Sequence, residues 1–331
     1  LRGRREGDFC AMCTSCPEVK RYLQDAMRNL FENAQGLAGF FTITMSENLT
    51  NCHSRYGDGV PCPRCGERPP EQVIAEVNNL MARGAHLANP AARAIAWNWA
   101  WGEDWAEKVP PLLTEGQIVQ CTSEERLPTQ VGGVEGYVVD YTMSQCGPGD
   151  KARRVWRSAL KSGHEACAKV QLNNTWEVSA VPWIPVFDKV AGHVNNLMEA
   201  GVRHLQLSWT LGGYPSPNLK LAAYRMSGKG DVASFLREWL GDELGELADR
   251  AQRRMSRAFS EFPFHVSVLY TAPQNYGPMA PFFLENTGWR ATMIGFPYDD
   301  LDGWRAIYPR EVFKTQFDHL AQGFREAVAM M

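Results

Sequence analysis

The sequence has little of what would mark several large function classes. No apolar run approaches the roughly 20 residues of a membrane-spanning helix, and the N-terminus, Leu1-Arg2-Gly3-Arg4-Arg5, has no apolar signal core. Charge of one sign is also missing. Lys and Arg number 34 against 37 Asp and Glu, a formal net charge of -3, so no field selects nucleic acid or an anionic membrane surface. Gly-x-Gly-x-x-Gly and Gly-x-x-x-x-Gly-Lys-Ser/Thr do not occur, which removes the usual phosphate-cradling loops of nucleotide chemistry. There is no recognisable elbow around a nucleophilic Ser or Cys, no His-x-x-x-His pair, no internal repeat and no low-complexity segment. The chain starts at Leu1 without Met, which leads us to expect processing or truncation upstream and leaves export open.

What remains is a globular chain of 331 residues, 44% hydrophobic, long enough for one α/β barrel or two smaller domains. Aromatic residues make up 11%; sugar sites use such faces against pyranose rings, although most aromatics in any chain are core. Nine cysteines fall into two knots, Cys10, Cys13 and Cys16, then Cys52, Cys62 and Cys65, with Cys121, Cys146 and Cys167 isolated. An odd count and Cys-x-x-Cys spacing suit reduced thiols or a metal better than paired disulfides, so a cytoplasmic location is expected over secretion. Cys52, Cys62 and Cys65 in one loop could hold a structural zinc, with the first knot as neighbour; free or disulfide-linked thiols are the alternative. No carboxylate cluster joins them, which speaks against a catalytic metal.

Periodicity predicts helices over 17–33, 71–87, 105–113, 151–162, 185–200, 231–261 and 310–329. Runs rich in β-branched and aromatic residues predict strands over 39–45, 94–101, 117–122, 168–176 and 203–209, with 136–144 extended and pairing locally. A Gly/Pro/Asn-rich stretch from Gly212 to Ser227 ends the alternation. The fold expected is α/β: a (β/α)₈ TIM-barrel-type catalytic domain over 1–227 and a mostly helical C-terminal region over 228–331. If the last of the five strands is the eighth of a barrel, three strands lie upstream of Leu1; the alternative is that short strands have been missed.

Two of these strands read as ending on a glutamate, Thr42-Ile43-Thr44-Met45-Ser46-Glu47 and Val170-Gln171-Leu172-Asn173-Asn174-Thr175-Trp176-Glu177. Carboxylates at the C-terminal tips of barrel strands point into a shared mouth, and two of them suffice to cleave a glycosidic bond. Ser46-Glu47, Trp176-Glu177 and Trp209 together resemble the clan A glycoside hydrolases, where strand four ends Asn-Glu rather than Ser-Glu. That resemblance implies Glu47 as acid/base, Glu177 as nucleophile and Trp209 as the floor of the sugar site. It implies no organic cofactor. Asn48 or Asn51 would replace the missing Asn in holding the sugar 2-hydroxyl. Asn174, Trp99, Asp140, Tyr141 and Tyr214 complete the expected carbohydrate contacts, Asp140 and Tyr141 at a strand-six tip with Tyr141 bonding the nucleophile; core or capping roles are their plainer alternatives. The chain also resembles the family 20 hexosaminidases, in which the substrate's acetamido group is the nucleophile, but Ser46 stands where that family has Asp. Segments such as Ser208-Trp209-Thr210-Leu211-Gly212-Gly213-Tyr214-Pro215 and Gly295-Phe296-Pro297-Tyr298-Asp299-Asp300 are similar to a bacterial glycosidase-like group. The expected partner is therefore a carbohydrate. A non-catalytic carbohydrate-binding barrel is the rival from another class. The aromatic, proline-rich 263–309 segment would suit a barrel lid or a homo-oligomer contact, packing on the barrel being the plainer expectation.

Overall fold

The computed structural model describes residues 1–46, 48–54, 59–208, 214–275, 285 and 300–331. In chain order these form β1 (Arg2–Glu6), β2 (Phe9–Met12), α1 (Pro17–Asn33), β3 (Gly39–Ile43), α2 (Pro70–Ala88), β4 (Arg93–Trp97), β5 (Ile118–Thr122), β6 (Pro128–Val131), β7 (Val134–Tyr137), α3 (Asp150–Lys161), β8 (Glu165–Val170), α4 (Phe187–Glu199) and β9 (His204–Leu207). Then come α5 (Pro217–Met226), α6 (Val232–Leu240), α7 (Asp242–Phe259), α8 (Val266–Thr271), α9 (Leu301–Trp304) and α10 (Arg310–Ala329).

The five expected strands form one curled parallel sheet in the order β3-β4-β5-β8-β9. Its register runs from Phe41 opposite Ile95 to Ile95 opposite Ile118. All five residues of the central β5 are buried, as a parallel strand covered on both faces requires. Among the described residues the sheet is a half-barrel of five strands, not a closed barrel of eight.

Several elements differ from expectation for local reasons. Residues 136–144 add no strand to the sheet: β6 and β7 pair with each other as a hairpin, because Gly132 and Gly133 at φ +57° and +77° supply a tight two-residue turn. The 105–113 helix is two 3₁₀ turns, Ala106–Lys108 and Pro110–Leu112. The helix expected over 231–261 breaks at Gly241 (φ +84°), giving α6 and α7. Inside the Gly/Pro/Asn-rich stretch lies α5, capped by the Ser216 hydroxyl accepting from Leu219 N and started by Pro217.

By their contacts the residues divide into two compact units. The first is 1–122, 151–168 and 200–205, and the second is 123–150, 169–199 and 206–331, so residues on both sides of 227 belong to the second. In the first unit α1 and α2 meet at Gly84, where a Cβ would lie 2.3 Å from Gln24 O. The Thr42 hydroxyl on β3 donates to Asn78 Oδ1 on α2, and Trp156 Nε1 on α3 donates to Cys167 O on β8. In the second unit α7 and α10 pack through aromatic rings, with Phe259 and Phe324 centroids 6.5 Å apart. No helix among the described residues is long and apolar enough to cross a membrane.

Candidate functional site

Of the two glutamates expected at strand tips, the described residues include only Glu177, and it is not at one. β3 stops at Ile43, and Glu47 lies outside the described residues, as does Trp209. β8 stops at Val170, where side chains capture the backbone. Asn173 Nδ2 donates to Tyr214 O and Asn174 Nδ2 to Val181 O, the competition that makes Asn a poor strand residue. Glu177 therefore sits in a turn beyond the strand, fully buried.

Its carboxylate accepts four hydrogen bonds. Thr142 Oγ1 (2.7 Å) and Ser144 N (3.2 Å) meet Oε1; Met143 N (2.7 Å) and Thr175 Oγ1 (2.6 Å) meet Oε2. The 142–145 segment is shaped for this: Thr142 Oγ1 accepts from Ser144 N and Gln145 N, a turn that presents successive amides on one side. Such an acceptor-only pattern is what an ionised carboxylate offers.

Two residues beyond the C-terminal end of β5 lies Glu124, which sequence reasoning passed over. It is fully buried, and neither carboxyl oxygen makes a well-formed hydrogen bond, the backbone amides of Glu124 and Thr142 approaching only in poor geometry. Burial pushes its carboxyl well above the usual carboxylate range; the backbone amides of Glu124 itself and Thr142 oppose this, the nearby charge of Glu177 adds to it, and Lys169 pulls the other way. Around it lie three more buried groups. His193 on α4 has Nδ1 3.5 Å from Glu124 Oε1 and Nε2 2.8 Å from Ser123 Oγ; burial lowers its imidazole to about 4, so it is neutral at pH 7. Lys169, on β8 and fully buried, donates Nζ to Ser208 O just past β9 and stands 5.0 Å over the Tyr141 ring. Ser208 holds φ at +68°, a left-handed conformation that a non-glycine residue adopts at a cost. Gln171 is fully buried with both amide atoms unpartnered, and it lines, with His193 and Thr142, a cavity of about 10 Å³. That is room for about one water.

The other expected sugar contacts are dispersed. Asp140 and Tyr141 occupy the loop after β7 rather than a strand tip, and Tyr141, expected to reach Glu177, has its ring under Lys169. Asn174 is buried, whereas Asn48 and Tyr214 are exposed. Trp99 is half-buried beyond the end of β4, edge-on to Trp97 at 4.8 Å. Asn51 is buried and donates to Thr44 O, a loop-closing bond.

Cys52, Cys62 and Cys65 do come together in the first unit, and Cys13 joins them. The four sulfurs lie within 4.8 Å of one another in a buried group that could hold a metal ion. Burial pushes the Cys52 and Cys65 thiols up; at Cys13 it is outweighed by hydrogen bonds, chiefly from Arg64, which bring that thiol down to about 6. Compared with known proteins, the chain matches no family model and no curated sequence.

Proposed function

We propose that the chain is a glycoside hydrolase that cleaves β-linked terminal sugars with retention, using Glu177 and Glu124 as its pair of carboxyl groups. The observation that carries this is the contrast between them: the Glu177 carboxylate holds four donors and suits a nucleophile, whereas burial raises the Glu124 carboxyl well above the usual carboxylate range, which suits an acid. Two carboxyls held in unlike environments are how such sites divide acid from nucleophile. Glu177 Oε would attack the anomeric carbon as the Glu124 proton passes to the leaving oxygen. Glu124, now ionised, would then take a proton from the water that opens the glycosyl ester. Both carboxyls are fully buried, so the reading requires that substrate displace part of what covers them. No organic cofactor enters this chemistry, and the metal the four thiols could hold, zinc in this reading, has no part in it.

Two observations favour other readings. The four donors on Glu177 also suit a carboxylate that only ties residues 142–144 to 175–177, which would make the chain a non-catalytic carbohydrate-binding protein. Glu124 alone, with a substrate acetamido group as nucleophile, would serve a β-N-acetylhexosaminidase. A panel of nitrophenyl β-glycosides with the wild type and the single variants Glu47→Gln, Glu124→Gln and Glu177→Gln separates them. Loss of about 10²- to 10⁴-fold in kcat for Glu124→Gln and for Glu177→Gln is expected. Loss confined to Glu47→Gln and Glu177→Gln moves the acid role to Glu47, and no turnover of any glycoside by the wild type sinks the hydrolase. Potent inhibition by a thiazoline would transfer the nucleophile's role to the substrate.

A further inference from the structure

We infer that Cys13, Cys52, Cys62 and Cys65 are the four ligands of a single structural zinc ion, which ties the N-terminal hairpin, the loop after β3 and the turn leading to α2 into one piece. The sulfurs come from three separate stretches of chain, and all four residues are buried. Metal–sulfur bonds of about 2.3 Å in a tetrahedron put sulfurs about 3.8 Å apart. Here Cys13 lies 3.4 Å from Cys65 and 3.6 Å from Cys62, with every sulfur of the set within 4.8 Å of the rest. These separations are far longer than the ~2.05 Å of a disulfide. They also suit one metal ion at the centre. An all-sulfur set rejects calcium and magnesium, and four protein ligands leave no open position for substrate, which makes the site structural rather than catalytic.

The surroundings are built for the same purpose. Residues 62–66 form a tight turn in which Cys65 N donates to Cys62 Sγ (3.4 Å) and Gly66 N to Cys62 O (2.7 Å), turning both sulfurs toward one centre. A Cβ on Gly66 would sit 2.8 Å from Cys62 O, so the turn requires glycine. A Cβ on Gly3 would sit 2.4 Å from Cys52 Sγ, so β1 lies directly against the cluster. Four thiolates around Zn²⁺ carry a net charge of about -2. Two guanidiniums answer it: Arg64 Nε is 3.3 Å from Cys13 Sγ and Arg68 Nη1 is 3.9 Å from Cys65 Sγ. Ser15 Oγ, 3.1 Å from Cys65 Sγ, adds a hydroxyl donor, so these sulfurs have the outer hydrogen bonds that fix metal ligands in place. Cys10 and Cys16, the rest of the first knot, are partly exposed and outside the set.

The test is metal content of the purified full chain, by mass spectrometry, with zinc supplied during expression. About one zinc per chain is expected in the wild type and in Cys10→Ser and Cys16→Ser, with loss of most of it in Cys13→Ser, Cys52→Ser, Cys62→Ser and Cys65→Ser. Cobalt exchanged into the wild type should show the intense thiolate-to-metal absorption of a tetrahedral tetrathiolate, a readout that does not depend on any variant folding. Wild-type chain that stays metal-free after dialysis against zinc, that yields Cys13–Cys65 or Cys52–Cys62 disulfide peptides, or that keeps its zinc in Cys13→Ser overturns the assignment. Stoichiometric iron in place of zinc overturns the choice of metal.

Discussion

Glu124 and His193 make opposite contributions to stability as pH changes, and replacing one exposes the other. His193 falls from an ordinary 6.5 to about 4 in the folded chain. Between those values the unfolded chain holds a proton there that the folded chain does not. The histidine contribution is therefore complete above pH 6.5 and is lost as pH falls toward 4, at about 1.4 kcal/mol per pH unit and roughly 3 kcal/mol in all. Glu124 has the reverse sign. Its carboxyl is raised from an ordinary 4.5, so above that pH the folded chain keeps a proton that the unfolded chain releases. Its contribution is complete below pH 4.5 and declines by the same ~1.4 kcal/mol per pH unit as pH rises, until the buried carboxyl ionises. Where both groups titrate differently in the folded and unfolded chain, above pH 4.5, the two slopes oppose each other, and above 6.5 the histidine no longer contributes one. The Glu124→Gln variant removes the second slope and keeps a neutral neighbour for His193, so the imidazole titrates as before. Urea denaturation followed by tryptophan fluorescence, at half-unit steps from pH 5 to 8.5, reads both curves. The variant should gain on the wild type as pH rises above 4.5, by up to about 1.4 kcal/mol per pH unit until the buried carboxyl ionises, whatever fixed offset the amide introduces. Parallel curves would refute the claim that Glu124 is buried as the neutral acid.

Two substitutions probe the same pocket by packing and by polarity. Gly147→Ala places a Cβ 2.9 Å from His193 Nε2, 3.0 Å from Glu124 Cγ and 3.1 Å from Ser123 Oγ, and should cost about 1–3 kcal/mol in a denaturation midpoint measured against wild type. Gln171→Met exchanges an unpartnered buried amide for a thioether of similar size and should raise stability by about 1–3 kcal/mol while lowering glycoside turnover; a loss of stability would show that the amide is already satisfied.

The sheet was legible because its five strands are short β-branched and aromatic runs at regular spacing, a pattern that survives whatever surrounds it. Strand ends were not. Gln171 to Glu177 continues the apolar look of β8, but Asn173 and Asn174 bind backbone carbonyls with their side chains and bend the chain away. Glu124 was illegible for another reason: Ser123-Glu124-Glu125-Arg126 reads as a solvated turn, and nothing local distinguishes Glu124, which is buried, from Glu125. Lys169 in a strand and His193 on a helix are hidden in the same way, since partner-dependent burial leaves no periodic trace. The cysteine group was half visible. Cys62-x-x-Cys65 announces a metal-binding turn by spacing, whereas Cys13 could be chosen from Cys10, Cys13 and Cys16 only once β1 and β2 had placed it beside Cys52.

The unsatisfied groups carry more of the functional argument than the satisfied ones. Glu177 would hold its place in any fold that needed residues 142–144 fixed, because its four hydrogen bonds offset the desolvation of its charge. Gln171 has no such compensation, and Glu124 has only the weak approach of two backbone amides. Each unpartnered buried polar group costs about 1–3 kcal/mol, a large part of the 5–15 kcal/mol that keeps a domain folded. An apolar residue of similar volume at either position would be the more stable choice, and nothing in the packing demands a carboxyl or an amide there. A positive φ at Ser208, whose carbonyl receives the buried Lys169, adds a second cost within the same cluster. Costs concentrated beyond the C-terminal ends of β5, β8 and β9, where parallel sheets bind their ligands, are what a site poised for a substrate would carry, and Glu124, whose carboxyl burial raises, is the member of that cluster suited to give a proton.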